Sequence, residues 1–535
     1  MLPIEPDPRG QPEDLAAAFR RVARARSGEV ALLDSRGARL TFGELSQGVS
    51  SLAARLAGRL PSGARPGGGS VGMAPVGVLL PPGAAGAQVN LALAAMGRAS
   101  VNLNPLTGAA GLAAQISQAG VSCVITARAA LEALGGASAF PVPVLWVEDL
   151  LEALPSAGTE ATSHESGDPA RRVATVLFSS GSTSRPKAIQ LSHANVLFNA
   201  RAVAAAFEFG PGDRLLGVLP LFHSFGYTVT VWAPLLAGAA VIFHDNPFDA
   251  RAIGELAREH RASVLLATPA MYQAWMRRVE PPQLSHLRAS VVGAQRLDPS
   301  LASAWRARYG SELYEGYGCT ELSPVVSANL PDVPEGPGAP GRMRRRLGSV
   351  GRPLPGVEVE IRDPATGQVL PAGVEGDVWV RGPGVMLGYL GDEQATRQAV
   401  VDGWYDTQDV GKLDVDGFLL LTDRRSRFSK LGGEMVSHGA VETALIRAAA
   451  LLGASPESFS LAVTAVADPG RGERLVVVHT ALGVELAAVI ERARKEGLPN
   501  LCAPRAEHGL QVAALPFLGT GKLDLARLKR MAAGD

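Results

Sequence analysis

VLFSSGSTSRPKAIQLSHANV, residues 176–196, decides how the fold is read. An apolar run ends at Phe178 and a loop of small hydroxyl residues and glycine follows. Lys187 then opens a second extended stretch, and Ser192 stands where a helix cap belongs. The same alternation continues on both sides. From about Ala31 to Ala267, short Val/Leu/Ile runs alternate with Ala-rich segments of helical length, as strands and crossover helices do in α/β layers. The pattern predicts strands at 76–82, 100–103, 122–126 and 263–267, with helices at 84–96, at 111–119 and from Pro269. Two similar α/β subdomains account for it.

Beyond Gly351 the character changes. GVEVEIRD, GDVWVRG and GFLLLTD alternate with period two between turns, which predicts a small antiparallel, β-barrel-like unit over about 345–421. After Arg424 the pattern predicts a helix at 441–450, a hairpin at 461–480, a helix at 485–495, a strand near 510–514 and a short final helix. The expected organisation is an α/β N-terminal lobe, 1–423, followed by a smaller mobile α+β lid, 424–535.

Composition narrows the function. The 51 basic residues balance 51 acidic ones, which removes the positive field that nucleic-acid binding needs. Three scattered cysteines form no CxxC pair and fit a reducing cytoplasm. The first residues, MLPIEPDPRGQPEDL, show no basic-then-apolar leader, and the most apolar run, 229–243, is too short to span a bilayer. The expectation is a cytoplasmic chain without a transmembrane anchor, with peripheral membrane contact left open.

Five segments carry chemistry. In the first, Ser179, Ser180, Gly181, Ser182 and Thr183 can turn N–H groups and hydroxyls onto polyphosphate oxygens, with Lys187 adding a point charge. A simple polar turn is the alternative. In LYEGYGCTELSP (313–324), Tyr317 can stack on a base and Glu321 offers Mg²⁺ a hard oxygen. In DGWYDTQDVG (402–411) and DRRSRFSKLGGEMVSHGAVE (423–442), Asp409 can accept from ribose hydroxyls beside the donors of Arg424. In LPFLGTGKLD (515–524), Lys522 sits between glycine and leucine near the end of the chain.

Taken in this order, the five segments resemble the adenylate-forming superfamily of acyl-CoA synthetases, carrier-protein-loading adenylation domains and luciferases. The run 219–243, GYGCTELSPVVSANLPDV and the last two segments look most like fatty-acyl ligases. Within these, they look most like the acyl-[acyl carrier protein] synthetase domain of bacterial 2-acylglycerophosphoethanolamine acyltransferase/acyl-carrier-protein synthetases.

The resemblance implies that a fatty acid or similar uncharged-tail carboxylate attacks ATP with Mg²⁺ present. The acyl adenylate then passes to a phosphopantetheine thiol of holo acyl carrier protein or coenzyme A. It further implies that Lys522 bridges carboxylate and α-phosphate, a contact of about 4 kcal/mol at an effective dielectric near 20. Thr183, Lys187, Glu321 and His223 stand with it at the reaction, although a packed core histidine is the plain alternative for His223. Gly293, Ala294 and Gln295 match the adenine-edge segment. Gly318, Thr320 and Lys430 fall in nucleotide motifs, and Gly432 and Gly433 on the thiol path. The lid is expected to swing about Ser426 and Arg427.

Gly226 stands where amino-acid-activating relatives place Asp, so a substrate ammonium would lie unpaired. Ser184, Ala188, Gln408 and Asp423 replace usual glycines, at roughly 1 to 2 kcal/mol wherever φ must be positive. Those losses keep two other readings in view, a non-catalytic nucleotide-binding relative and an acyl-AMP ligase loading one dedicated carrier. His244 and Asp249 match an HxxxxD spacing but are read as coincidence.

Overall fold

The computed structural model describes residues 13–61, 73–132, 140–152, 168–179, 186–333, 343–431, 434–455, 458–468, 472–517 and 523–534. Ser180, Gly181, Ser182, Thr183, Ser184, Gly432, Gly433 and Lys522 lie outside them.

Two mixed sheets form the body of the α/β fold. The nine-stranded sheet holds six parallel strands, in the order Leu313–Gly318, Ala289–Val292, Val264–Ala267, Arg214–Gly217, Ala240–Phe243 and Val30–Asp34. The seven-stranded sheet runs parallel through Val173–Phe178, Ser100–Asn102, Val76–Leu79, Val124–Thr126 and Val144–Trp146. Its other edge is antiparallel, with Ala188–Ser192 and the two-residue strand Gly388–Tyr389. The inner parallel strands Val76–Leu79, Ala240–Phe243, Val264–Ala267 and Ala289–Val292 are buried along their whole length, so they read in sequence as continuous apolar runs.

Local signals place the helices. Helix His193–Ala206 starts in a capping box, with Ser192 and Asn195 each satisfying the other's backbone N–H. Asn195 and Asn199 on this helix donate to the carbonyls of Pro383, Val385, Leu322 and Val325, tying it to two distant loops. One apolar cluster, from Leu15 to Leu419, joins both sheets and the helices between them.

The antiparallel unit pairs Glu358–Arg362, Gly376–Arg381, Trp404–Leu413 and Leu419–Arg424. Beyond it the chain has its own apolar clusters, built from helix His438–Leu451, the hairpin Leu461–Asp468 with Gly472–His479, and helices Leu486–Lys495 and Leu525–Ala533. Among the described residues no helix is long and apolar enough to cross a membrane.

Candidate active site

The C-terminal ends of the parallel strands in both sheets open onto one cavity of about 1480 Å³, where ligands settle in α/β sheets. Ser179 and Lys187 reach it from the seven-stranded sheet; Gly293, Ala294, Gln295, Tyr317, Gly318, Thr320 and Glu321 reach it from the nine-stranded one. Asp409 and Arg424 come from the antiparallel unit, and His223 from the segment after Arg214–Gly217. Glu442, Thr443 and Leu523, the residue after Lys522, close it from the C-terminal side. Lys430 is not brought here: it is exposed, and its N–H donates to the Glu473 carboxylate at 2.8 Å. His244 and Asp249 do not line the cavity either; His244 Nδ1 lies 2.8 Å from Ser35 Oγ.

Asp409 and Arg424 face each other across two paired strands, and Arg424 Nε donates to Asp409 Oδ1 at 3.0 Å. The Tyr317 hydroxyl donates to the other oxygen at 2.5 Å. Burial and the Asp409 charge push the Tyr317 phenol well above its ordinary range, so it remains a donor. Gln408, just before, has φ of 60°, as does glycine readily. Of the four glycine replacements, Ala188 and Asp423 lie inside strands where no positive φ is required, and Ser184 lies outside the described residues. Asp423 accepts from the Gly439 N–H at 2.7 Å and from Ser437 Oγ at 3.0 Å.

Ser179 and Lys187 bracket the hydroxyl-rich loop: the Ser179 N–H donates to the Lys187 carbonyl at 3.0 Å, and the Lys187 N–H to Ser179 Oγ at 3.2 Å. Lys187 Nζ stands 4.3 Å from the centre of the Tyr389 ring, and the Tyr389 hydroxyl donates to Glu321 Oε1 at 3.1 Å. Cys319 lies between these groups, but burial and the neighbouring carboxylates push its thiol far up, which leaves it a poor nucleophile. Among the described residues no cluster of three or more His, Cys, Asp or Glu could hold a metal. A single Glu321 carboxylate fits Mg²⁺, which takes few protein oxygens and completes its shell with phosphate and water. The paired Asp409 and Arg424 beside Tyr317 fit a ribose and base.

Two cavity residues escaped the sequence reading. Glu315 lies two positions before Tyr317 on the same strand, accepts from the Leu297 N–H at 2.9 Å, and is pushed up to about 7 by burial. The period-two spacing from Tyr317 was the available signal. Tyr389 was hidden in a two-residue strand that no pattern marks.

The family model for the AMP-binding enzyme matches residues 19–390, and the chain belongs to this family. Among curated relatives, a feruloyl-CoA synthase of Amycolatopsis sp is 32% identical over 311 residues, covering 57% of this chain and 61% of that protein. A medium-chain fatty-acid–CoA ligase of Escherichia coli K12 is 31% identical over 384 residues, covering 70% of this chain and 62% of that protein. The matched part thus spans about three-fifths of each relative. The crystal structure of ATP-bound MatB from Rhodopseudomonas palustris superposes with a TM-score of 0.81 at 25% identity, covering 97% of this chain and 99% of that one.

Proposed function

We propose that the protein is an ATP-dependent acid–thiol ligase that adenylates a fatty acid and passes the acyl group to a phosphopantetheine thiol, on coenzyme A or a holo acyl carrier protein. One observation carries the reading: a single cavity is lined both by the nucleotide-type residues and by apolar side chains. Val203, Phe207, Val229, Val325 and Val350 are among the apolar ones, as is Leu347, which is 81% exposed. The volume of about 1480 Å³ exceeds the roughly 300–1,000 Å³ of ordinary small-molecule sites, which leaves room for a long tail beside a nucleotide. At Gly226 a Cβ would lie 2.1 Å from the Pro220 carbonyl oxygen, so that position cannot carry the carboxylate an amino-acid ammonium requires. The fatty-acid relative supports the tail chemistry, and the feruloyl relative sets aromatic acids as the competing class.

In this reading a carboxylate oxygen attacks the α-phosphorus of ATP, and the bond to pyrophosphate breaks. A thiol sulfur then attacks the acyl carbon, and the bond to AMP breaks. The protein chiefly positions groups and stabilises charge. Lys187 and the hydroxyl loop of Ser180, Ser182 and Thr183 hold the phosphates, while Tyr317, Asp409, Arg424 and the 293–295 segment hold the nucleoside. Lys522 bridges carboxylate and α-phosphate, and His223 flanks them. Glu321 is the Mg²⁺ ligand, and the ion supplies charge neutralisation at the phosphates. Residues 424–535 act as a lid that turns about Ser426 and Arg427, bringing Gly432 and Gly433 to the thiol path.

The test is isotope exchange between pyrophosphate and ATP with fatty acids of graded length and with ferulate. Exchange that depends on a long-chain acid and Mg²⁺ is expected. Exchange with ferulate alone would move the substrate class, and none with any acid would remove the ligase reading.

A further inference from the structure

Tyr389 touches two of the charged groups assigned above, one on each side of a single phenol. Its hydroxyl donates to Glu321 Oε1 at 3.1 Å, and its ring lies beneath Lys187 Nζ at 4.3 Å. Both partners line the cavity, as does Tyr389, which is only 5% exposed.

The backbone fixes this arrangement from three directions. Strand Gly388–Tyr389 pairs antiparallel with Ala188–Ser192, which sets Tyr389 opposite Ile189, two residues after Lys187. The Met386 N–H donates to the Glu321 carbonyl at 2.8 Å, and the Leu390 N–H to the Ala188 carbonyl at 2.7 Å, so one short segment is bonded to the backbone of both neighbourhoods. The Tyr389 N–H itself is held by Thr396 Oγ1 at 2.9 Å. At Gly388, with φ of 147°, a Cβ would meet the Thr396 side chain at 2.8 Å, so the strand is closely applied to helix Glu393–Ala399.

We propose that Tyr389 is a positioning residue for adenylation, orienting the Glu321 carboxylate toward the metal and holding the Lys187 ammonium toward the phosphates. The hydrogen bond to Oε1 fixes the plane of the carboxylate. The ring face meanwhile attracts the ammonium without neutralising it. The inference rests on the ligase reading, in particular on Glu321 as the metal ligand and Lys187 as a phosphate ligand.

The experiment uses the full chain with Tyr389→Phe and Tyr389→Leu. Mn²⁺ binding is followed by electron paramagnetic resonance in the presence of α,β-methylene-ATP, and analogue affinity without metal is followed by calorimetry. Tyr389→Phe removes only the hydroxyl, and it is expected to weaken Mn²⁺ binding about 3- to 10-fold while metal-free analogue affinity stays within about two-fold. Its exchange rate should return to near wild type at saturating Mg²⁺, a rescue that general structural damage would not give. Tyr389→Leu also removes the ring and should weaken metal-free analogue binding by a further factor of about 2 to 5. Unchanged Mn²⁺ affinity in Tyr389→Phe, with wild type binding metal and analogue normally, would overturn the positioning role and leave the ligase reading intact. A wild-type chain that binds neither would overturn both. If Tyr389→Leu does not fold, the isosteric Tyr389→Phe decides alone.

Discussion

The Tyr317 hydroxyl donates to Asp409 Oδ2 across 2.5 Å, while Arg424 Nε holds the other carboxylate oxygen at 3.0 Å. The same three side chains therefore form the wall expected to meet the nucleoside, and the carboxylate is fixed before a ligand arrives. Asp409→Asn removes the charge that both donors face, and its KM for ATP should rise by about 10- to 100-fold. Tyr317→Phe keeps the ring and loses one anchor, so its effect should be several-fold smaller. Equal KM values for wild type and Asp409→Asn would separate Asp409 from nucleotide binding.

Asp423 ties the start of helix His438–Leu451 to the end of strand Leu419–Arg424, through the Gly439 N–H and Ser437 Oγ. The Arg427–Glu442 pair at 2.6 Å reinforces the same junction. If residues 424–535 swing as a lid, Asp423 latches the position seen here. Asp423→Ala should then speed limited proteolysis between 424 and 431 by about 3- to 10-fold and raise the thioester-forming rate relative to adenylation. An unchanged cleavage rate would show that the latch does not govern the junction.

Glu315 is pushed up from an ordinary 4.5 to about 7 by burial. Between those values the folded chain keeps a proton that the unfolded chain has released, so this group's stability contribution falls as pH rises from about 4.5 to 7. Glu315→Gln keeps an acceptor for the Leu297 N–H and abolishes the titration. Its thermal stability relative to wild type should improve from pH 5 to about pH 7 and level off above that, by at most about 3 kcal/mol in all. A pH-independent difference between the two proteins would contradict the shift.

Lys522→Ala should lose adenylation of a free acid and retain transfer from a preformed acyl adenylate to the thiol. Half-reactions assayed separately decide it. Equal loss in both would deny Lys522 a role confined to the first step.

The sequence was most legible where a motif sits at the end of its own strand. Tyr317, Gly318, Thr320 and Glu321 stand at or just past the end of strand Leu313–Gly318, and Gly293 to Gln295 just past strand Ala289–Val292, and both groups reach the cavity. Contacts made across distant strands were not legible. Tyr389 meets Glu321 and Lys187 through a two-residue strand whose partner lies about two hundred positions away, which no local periodicity encodes. Lys430 shared a motif with site residues, yet its strand pairs with Glu434–Ser437 and is tied to Glu473. Asp423 read as a lost glycine, although its strand requires no positive φ and its carboxylate satisfies the N–H of Gly439 at a helix start.

The account's central claim is that the cavity joins a carboxylate to AMP before any thiol is involved. The direct measurement is mass spectrometry of the protein incubated with ATP, Mg²⁺ and a long-chain fatty acid but no thiol. The account predicts acyl adenylate and pyrophosphate at about one equivalent per chain, with the adenylate consumed on addition of coenzyme A or holo carrier protein. ADP and phosphate in place of pyrophosphate, or bound ATP with no adenylate across every acid tried, would contradict it.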